Sequence, residues 1–200
     1  MFAVVESGSI TSFPKGNKGL VVGDVKHPKT IFTLWTEAER NAIGVYTVEL
    51  NETNRKDETW YINTDISYAF GSGKVTGSYG TATAKAIADA NAKDENGDDL
   101  DPVVVIKGLK TKYKENFNAQ AAGLLLPTDW YVVKATEISG YSVPSAITTY
   151  RAAVRTKVNA METAIDNCAN IAALITLLEY TTNDAGVSSR PLGEFPDEVI

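Results

Sequence analysis

The residues of this chain best placed to do chemistry are aromatic and charged. The run "LLLPTDWYVVKATE", Leu124 to Glu137, sets Asp129, Trp130 and Tyr131 side by side, and "TYRAAVRTK", Thr149 to Lys157, follows with Tyr150, Arg151 and Arg155. A Trp-Tyr pair offers a stacking platform for a sugar or a base, and two arginines four apart on a helix face can grip an anion. The same residues also suit packing. An acid is favoured in the first turn of a helix, a Trp can fill a helix junction, and arginine stems can lie along an apolar stripe that includes Val154 and Val158. Packing or partner contact is the reading they favour. Trp130, Tyr131, Tyr150, Arg151, Val154, Arg155 and Val158 form the expected contact set, with Trp130 in the helix junction.

Other motifs fail on their own terms. In "DENGDDLD", taking Gly97 as the glycine of a calcium loop puts the first and twelfth ligand positions on Ala92 and Val103, neither of them an acid. "GSGK", Gly71 to Lys74, is followed by Val75 where a phosphate loop needs Ser or Thr, and "GNKGLVVG" lacks the strand and helix of a dinucleotide site. The single His27 precedes Pro28, which biases it to an extended turn, and the many Ser and Thr residues give it no particular partner. The single Cys168 excludes an internal disulfide and reads as a small buried hydrophobe; with one His, the ligands for a Cys/His zinc site are missing. The expectation is a protein that is not an enzyme and has no catalytic residue, metal or cofactor.

Composition points the same way. Of 200 residues, 44% are hydrophobic and 22% charged, the balance of a chain that folds. Nineteen basic against twenty-five acidic residues leave a net charge of −6, which argues against nucleic acid, since phosphate binding draws on clustered Lys and Arg. No run approaches the ~18 apolar residues of a membrane span, and the opening "MFAVVESGSITSF" has no basic leader. A soluble protein with no membrane partner is expected.

Period and punctuation divide the chain. Short apolar or alternating runs bounded by Gly, Pro and Asn predict strands at "FAVVE", "ITSF", "LVVGDV", "VYTVEL", "TWYINTDISYAF" and "GSGKVTGSYG". Thr36 and Glu39 spell a capping box for one short helix that Gly44 ends, while "TATAKAIADANAK" fits helix or strand. Further on, Ile106, Leu109, Tyr113, Phe117 and Leu124 share a helical face, Pro127 breaks it, and Thr128 or Asp129 can cap a short helix to Ile138. Pro144 opens a third helix whose stripe is Ile147, Tyr150, Val154, Val158, Met161, Ile165 and Cys168, near enough to heptad spacing to pair between chains. Asn170 caps a fourth. The fold class expected is α+β, a small β-rich N-terminal module followed by a helical (helix-hairpin or bundle) C-terminal module. Its parts are a β-rich docking module over 1–90, an acidic linker over 91–102, a helical module over 103–182 and an extended tail over 183–200.

Two blocks, about seventy residues together, resemble a known family. "MFAVVESGSITSFPKGNKG" running on to "IFTLWTEAERNAIGVYTV" is similar to the opening of many small tailed-bacteriophage tail proteins, and "LLLPTDWYVVKATEISGYSVPSAITTYRAAVR" resembles the helical segment of phage tail fibre and tail fibre assembly proteins. The resemblance implies a virion structural protein of the tail or tail fibre, partnered by other virion proteins and by itself as a homo-oligomer. It would lie in the virion tail, and in the host cytoplasm during assembly. A tail fibre assembly chaperone and a head or decoration protein are the alternatives it leaves.

Overall fold

Alternation in "FAVVE" lets the first strand, β1 (Phe2–Glu6), face two cores at once. In the computed structural model, which describes residues 1–198, the chain is α+β and divides into two compact units, Met1–Ala84 and Lys85–Ile200.

In the first unit β1 is followed by β2 (Ser9–Ser12), β3 (Leu20–Val22), β4 (Val25–His27), α1 (Ile31–Leu34) and α2 (Glu37–Ala42). Then come β5 (Val45–Asn51), β6 (Tyr61–Ile62), β7 (Ile66–Gly71), β8 (Lys74–Tyr79) and β9 (Thr83–Ala84). Five strands form one sheet in the order β2-β1-β5-β8-β7, antiparallel except for the parallel pair β5–β8. On one face Ala3, Val5, Val48 and Val75 pack with Ile10, Tyr46, Tyr68 and Phe70. Phe13, just past β2, meets Tyr68 of β7 with ring centroids 4.6 Å apart, so the two edges of the sheet curl toward each other. On the other face Val45 packs with Phe2, Ile31 and Phe32. "LVVGDV", expected as one strand, is instead a hairpin turning at Gly23-Asp24.

The capping box forms as its spacing requires. The Glu39 amide donates to Thr36 Oγ1 at 3.3 Å and the Thr36 amide donates to Glu39 Oε2 at 2.7 Å, which holds the Glu39 carboxyl below its ordinary pKa. Gly44 then takes φ +80°, and the Val5 amide donates to its carbonyl at 2.8 Å. A Cβ there would lie 2.5 Å from the Val5 carbonyl oxygen, so only glycine lets β5 leave the helix against β1.

The second unit holds β10 (Ala90–Asn91), β11 (Val105–Ile106), α3 (Leu109–Leu125), a 3-10 turn (Leu126–Thr128), α4 (Asp129–Glu137), α5 (Ser145–Asp166), α6 (Ile171–Leu178), β12 (Thr181–Thr182) and β13 (Ser188–Ser189). Its core is the α5 stripe, with Ile147, Tyr150, Val154, Val158, Met161 and Ile165 all buried. Leu109, Phe117 and Ala121 of α3, Leu174 and Leu178 of α6, and Cys168 are buried too. Lys114 of α3 meets Asp166 of α5 at 2.8 Å and Asn118 meets Glu162 at 2.6 Å, so α3 and α5 run antiparallel. The stripe is therefore used within the chain and is not free to pair with another.

Two segments depart from expectation, and a third, open between helix and strand, is decided. The stretch 91–102, expected as a linker, closes a hairpin: Ala90 pairs Ile106, the Ala92 amide donates to the Val104 carbonyl, and Lys93 bridges Asp99. Its acids make turns, the Asp94 carboxylate accepting from the Asn96 and Asp98 amides. Ile106 belongs to that hairpin and not to the helical face; α3 starts three residues later, after Gly108, whose backbone passes so close to Ala88 that a Cβ would meet its carbonyl at 2.3 Å. "TATAKAIADANAK" is extended, with β9 and β10 inside it.

The tail over 183–200 begins in the β12–β13 hairpin, and its Leu192 is buried, with the Leu192 amide donating to the Leu177 carbonyl and Lys157 Nζ donating to the Leu192 carbonyl at 2.6 Å. Positions 199–200 of that segment lie outside the described residues.

Candidate interaction surface

Pro127 follows α3 at a point where a helix leaves its last carbonyls without partners. The chain answers from α5. Arg151, 8% exposed, donates through Nη1 to the Leu125 carbonyl at 3.0 Å and to Thr128 Oγ1 at 2.6 Å, and its Nη2 lies 2.8 Å from Asp129 Oδ1. Thr128 Oγ1 donates to the same Leu125 carbonyl at 2.7 Å, and the Tyr150 hydroxyl reaches the Leu124 carbonyl at 3.4 Å. Burial pushes the Tyr150 hydroxyl's pKa up. The guanidinium thus fixes the corner between α3 and α4, and neither Thr128 nor Asp129 caps α4 in the expected way: Thr128 makes no cap hydrogen bond.

The contact set separates into two groups. Tyr150, Arg151, Val154 and Val158 are inside the helical core or the corner. Trp130 is not in the junction: it is 50% exposed, and α4 buries no residue at all. Its ring stacks on Tyr131, with centroids 3.8 Å apart and planes at 32°, and Lys134 Nζ lies 5.6 Å from its centroid and 4.3 Å from that of Tyr141. The reason is geometric. Asp129 is drawn toward Arg151, so the next position along the helix turns away from the core. Arg155 is exposed and lines, with Arg151, Val132, Val143 and Thr148, a hollow of about 270 Å³. The two arginines do not form a shared anion grip, because Arg151 is spent on the corner.

What results is an apolar surface held on a fixed corner. Leu126, Trp130 and Val133 fall four and three apart, on one side of the turn and helix, and all are exposed, as are Val132 and Ile138. Among the described residues no group of three or more His, Cys, Asp or Glu could hold a metal, and no helix is long and apolar enough to cross a membrane. His27 stands edge-on to Trp35 at 5.7 Å.

A second apolar surface was not anticipated from the sequence. Val103, Val104, Val105 and Ile106 are all exposed in and before β11. The signal was present, since four β-branched residues after a Pro favour strand over helix. Compared with protein families, with curated proteins and with solved structures, the chain matches none.

Proposed function

We propose that this chain is a structural protein of a bacteriophage virion, in the tail or tail fibre, that works by protein–protein assembly and not by catalysis. The observation that carries the assembly reading is α4, a helix with no buried residue whose Trp130 and Val133 stand in solvent beside Leu126. Exposed apolar groups gathered on one face mark contact sites, and aromatic anchors supply much of the energy of such contacts. The phage assignment is supported by the two sequence blocks, of which the second supplies this same corner and helix.

In this reading the Arg151 corner is the rigid part and α4 the part presented to a neighbouring virion protein. A stable contact buries roughly 1,600 Å² in total, of which α4 would supply the apolar centre. Mass spectrometry of purified, salt-washed particles tests the assignment. Several copies per particle are expected; absence from the particle, with the chain held by a soluble fibre protein instead, would make it a transient assembly factor and overturn the structural role.

A further inference from the structure

The contact between Asp129 and Arg151 turns one side of α4 toward one side of α5. Val132 stands three positions after Asp129, and Thr148 and Arg155 stand three before and four after Arg151, so each set shares a side of its own helix. Between them lies the hollow of about 270 Å³ that Val143 also lines. This is below the ~300–1,000 Å³ of a small-molecule site and suits a single side chain. Val132 and Val143 make part of its wall apolar. Arg155 supplies a charge. Among the described residues no hydrogen bond or ion pair holds its guanidinium, whereas that of Arg151 is committed to Leu125, Thr128 and Asp129.

We propose that this hollow receives an acidic and apolar segment of the partner protein, an aliphatic side chain entering between Val132 and Val143 while the carboxylate of a neighbouring residue pairs with Arg155. Charge complementarity selects this occupant. From Leu126 to Arg155 the chain carries three bases against two acids, and one of those acids, Asp129, is already matched to Arg151. The chain as a whole stands at −6, so this corner attracts an acid that the rest of the surface repels. A guanidinium also presents a fork that fits a carboxylate through two parallel hydrogen bonds. A wholly apolar segment would cover the Arg155 charge without pairing it, which costs free energy.

The proposal rests on the assembly reading of α4 and names the chemistry of what that helix meets. The neighbouring cation fits the same partner: Lys134 has no acid paired with it among the described residues, and its ammonium lies over the Trp130 and Tyr141 rings. An acidic segment seated at Arg155 therefore meets a second base on α4 and no free acid at the hollow itself.

Titration of the purified chain with the peptide acetyl-Gly-Leu-Glu-Leu-Gly-amide, followed by the NMR shifts of the Val132 and Val143 methyls, tests the proposal. Those methyls should move, and the same peptide with Gln in place of Glu should bind about fivefold more weakly, the worth of one exposed ion pair. Arg155→Gln should bind the two peptides alike; Arg155 is exposed, so this variant keeps the fold. Equal affinity of the wild-type chain for the two peptides, shifts confined to residues away from the hollow, or no binding of either peptide would overturn the proposal. The titration uses no particles, so such a result leaves the assembly reading of α4 standing. A chain absent from particles that still prefers the Glu peptide at the hollow would remove the virion assignment and uphold the chemistry of the site.

Discussion

Arg151 Nη1 lies 2.6 Å from Thr128 Oγ1, a contact between residues 23 positions apart that ties the middle of the helical unit to its sharpest corner. Thr128 is itself 2% exposed and its hydroxyl hydrogen goes to the Leu125 carbonyl, so the guanidinium is the donor its oxygen accepts from. The break at Pro127, the orphan carbonyls of α3 and the start of α4 meet at this one side chain.

Arg151→Met keeps much of the stem and removes every donor. It should cost about 2–3 kcal/mol in urea denaturation, because buried acceptors lose a charged partner. Arg151→Lys should recover only part of this, since an ammonium has no planar fork to reach Leu125, Thr128 and Asp129 together. Asp129→Asn should cost under about 1 kcal/mol, because that carboxylate is half-exposed.

Trp130→Ala should leave the melting temperature nearly unchanged, a loss of about 1 kcal/mol or less, where a buried Trp would cost about 3–5. Incorporation into particles should fall sharply. A large loss of stability would place Trp130 in the core and remove the main support for α4 as a contact surface.

Gly44→Ala meets two obstacles at once, φ +80° and a Val5 oxygen 2.5 Å from the new Cβ. A loss well above the ~1 kcal/mol of a left-handed alanine is expected. Gly97→Ala provides the comparison, with φ +88° but open space around it, and should cost only that smaller amount.

The Arg190–Glu194 cluster should make the end of the helical unit sensitive to acid. Arg190 lies between Phe117 and Tyr180, with Cζ 5.2 and 4.9 Å from their ring centroids, and donates to both oxygens of Glu194, which also accepts from the Tyr180 hydroxyl at 2.6 Å. Burial alone would raise the pKa of Glu194, but the Tyr180 and Arg190 hydrogen bonds outweigh it and hold the carboxyl below its ordinary value of 4.5. A depressed carboxyl contributes stability above its unfolded pKa and loses it as pH falls through the folded one. The Leu192 amide, bonded to the Leu177 carbonyl, should therefore shift cooperatively in NMR spectra only in the acid range, below about pH 4.5. Glu194→Gln should abolish that transition.

Local signals in the sequence matched the structure where the chemistry was local. The Thr36–Glu39 box and the Asn170 cap need only neighbours three residues away, and both form. The α5 stripe was legible because a helix seven positions or more in length repeats its face. Trp130 was not, because its direction is set by Asp129 reaching Arg151, 22 residues on. Ile106 fitted a helical spacing by coincidence; its strand pairing depends on Ala90 and on the close approach at Gly108, neither of which a period can report. The Arg151 donors were likewise invisible, since their acceptors are carbonyls freed by a helix end that only the fold brings near.

Contact between α4 and another virion protein is tested most directly by a photo-reactive residue in place of Val133. Val133 is exposed one turn from Trp130 and makes no buried contact to lose. Irradiated and then purified, salt-washed particles should yield a covalent adduct between this chain and a different virion protein, mapped to α4. Particles that contain the chain without any adduct at this position, or that lack the chain altogether, would contradict the account.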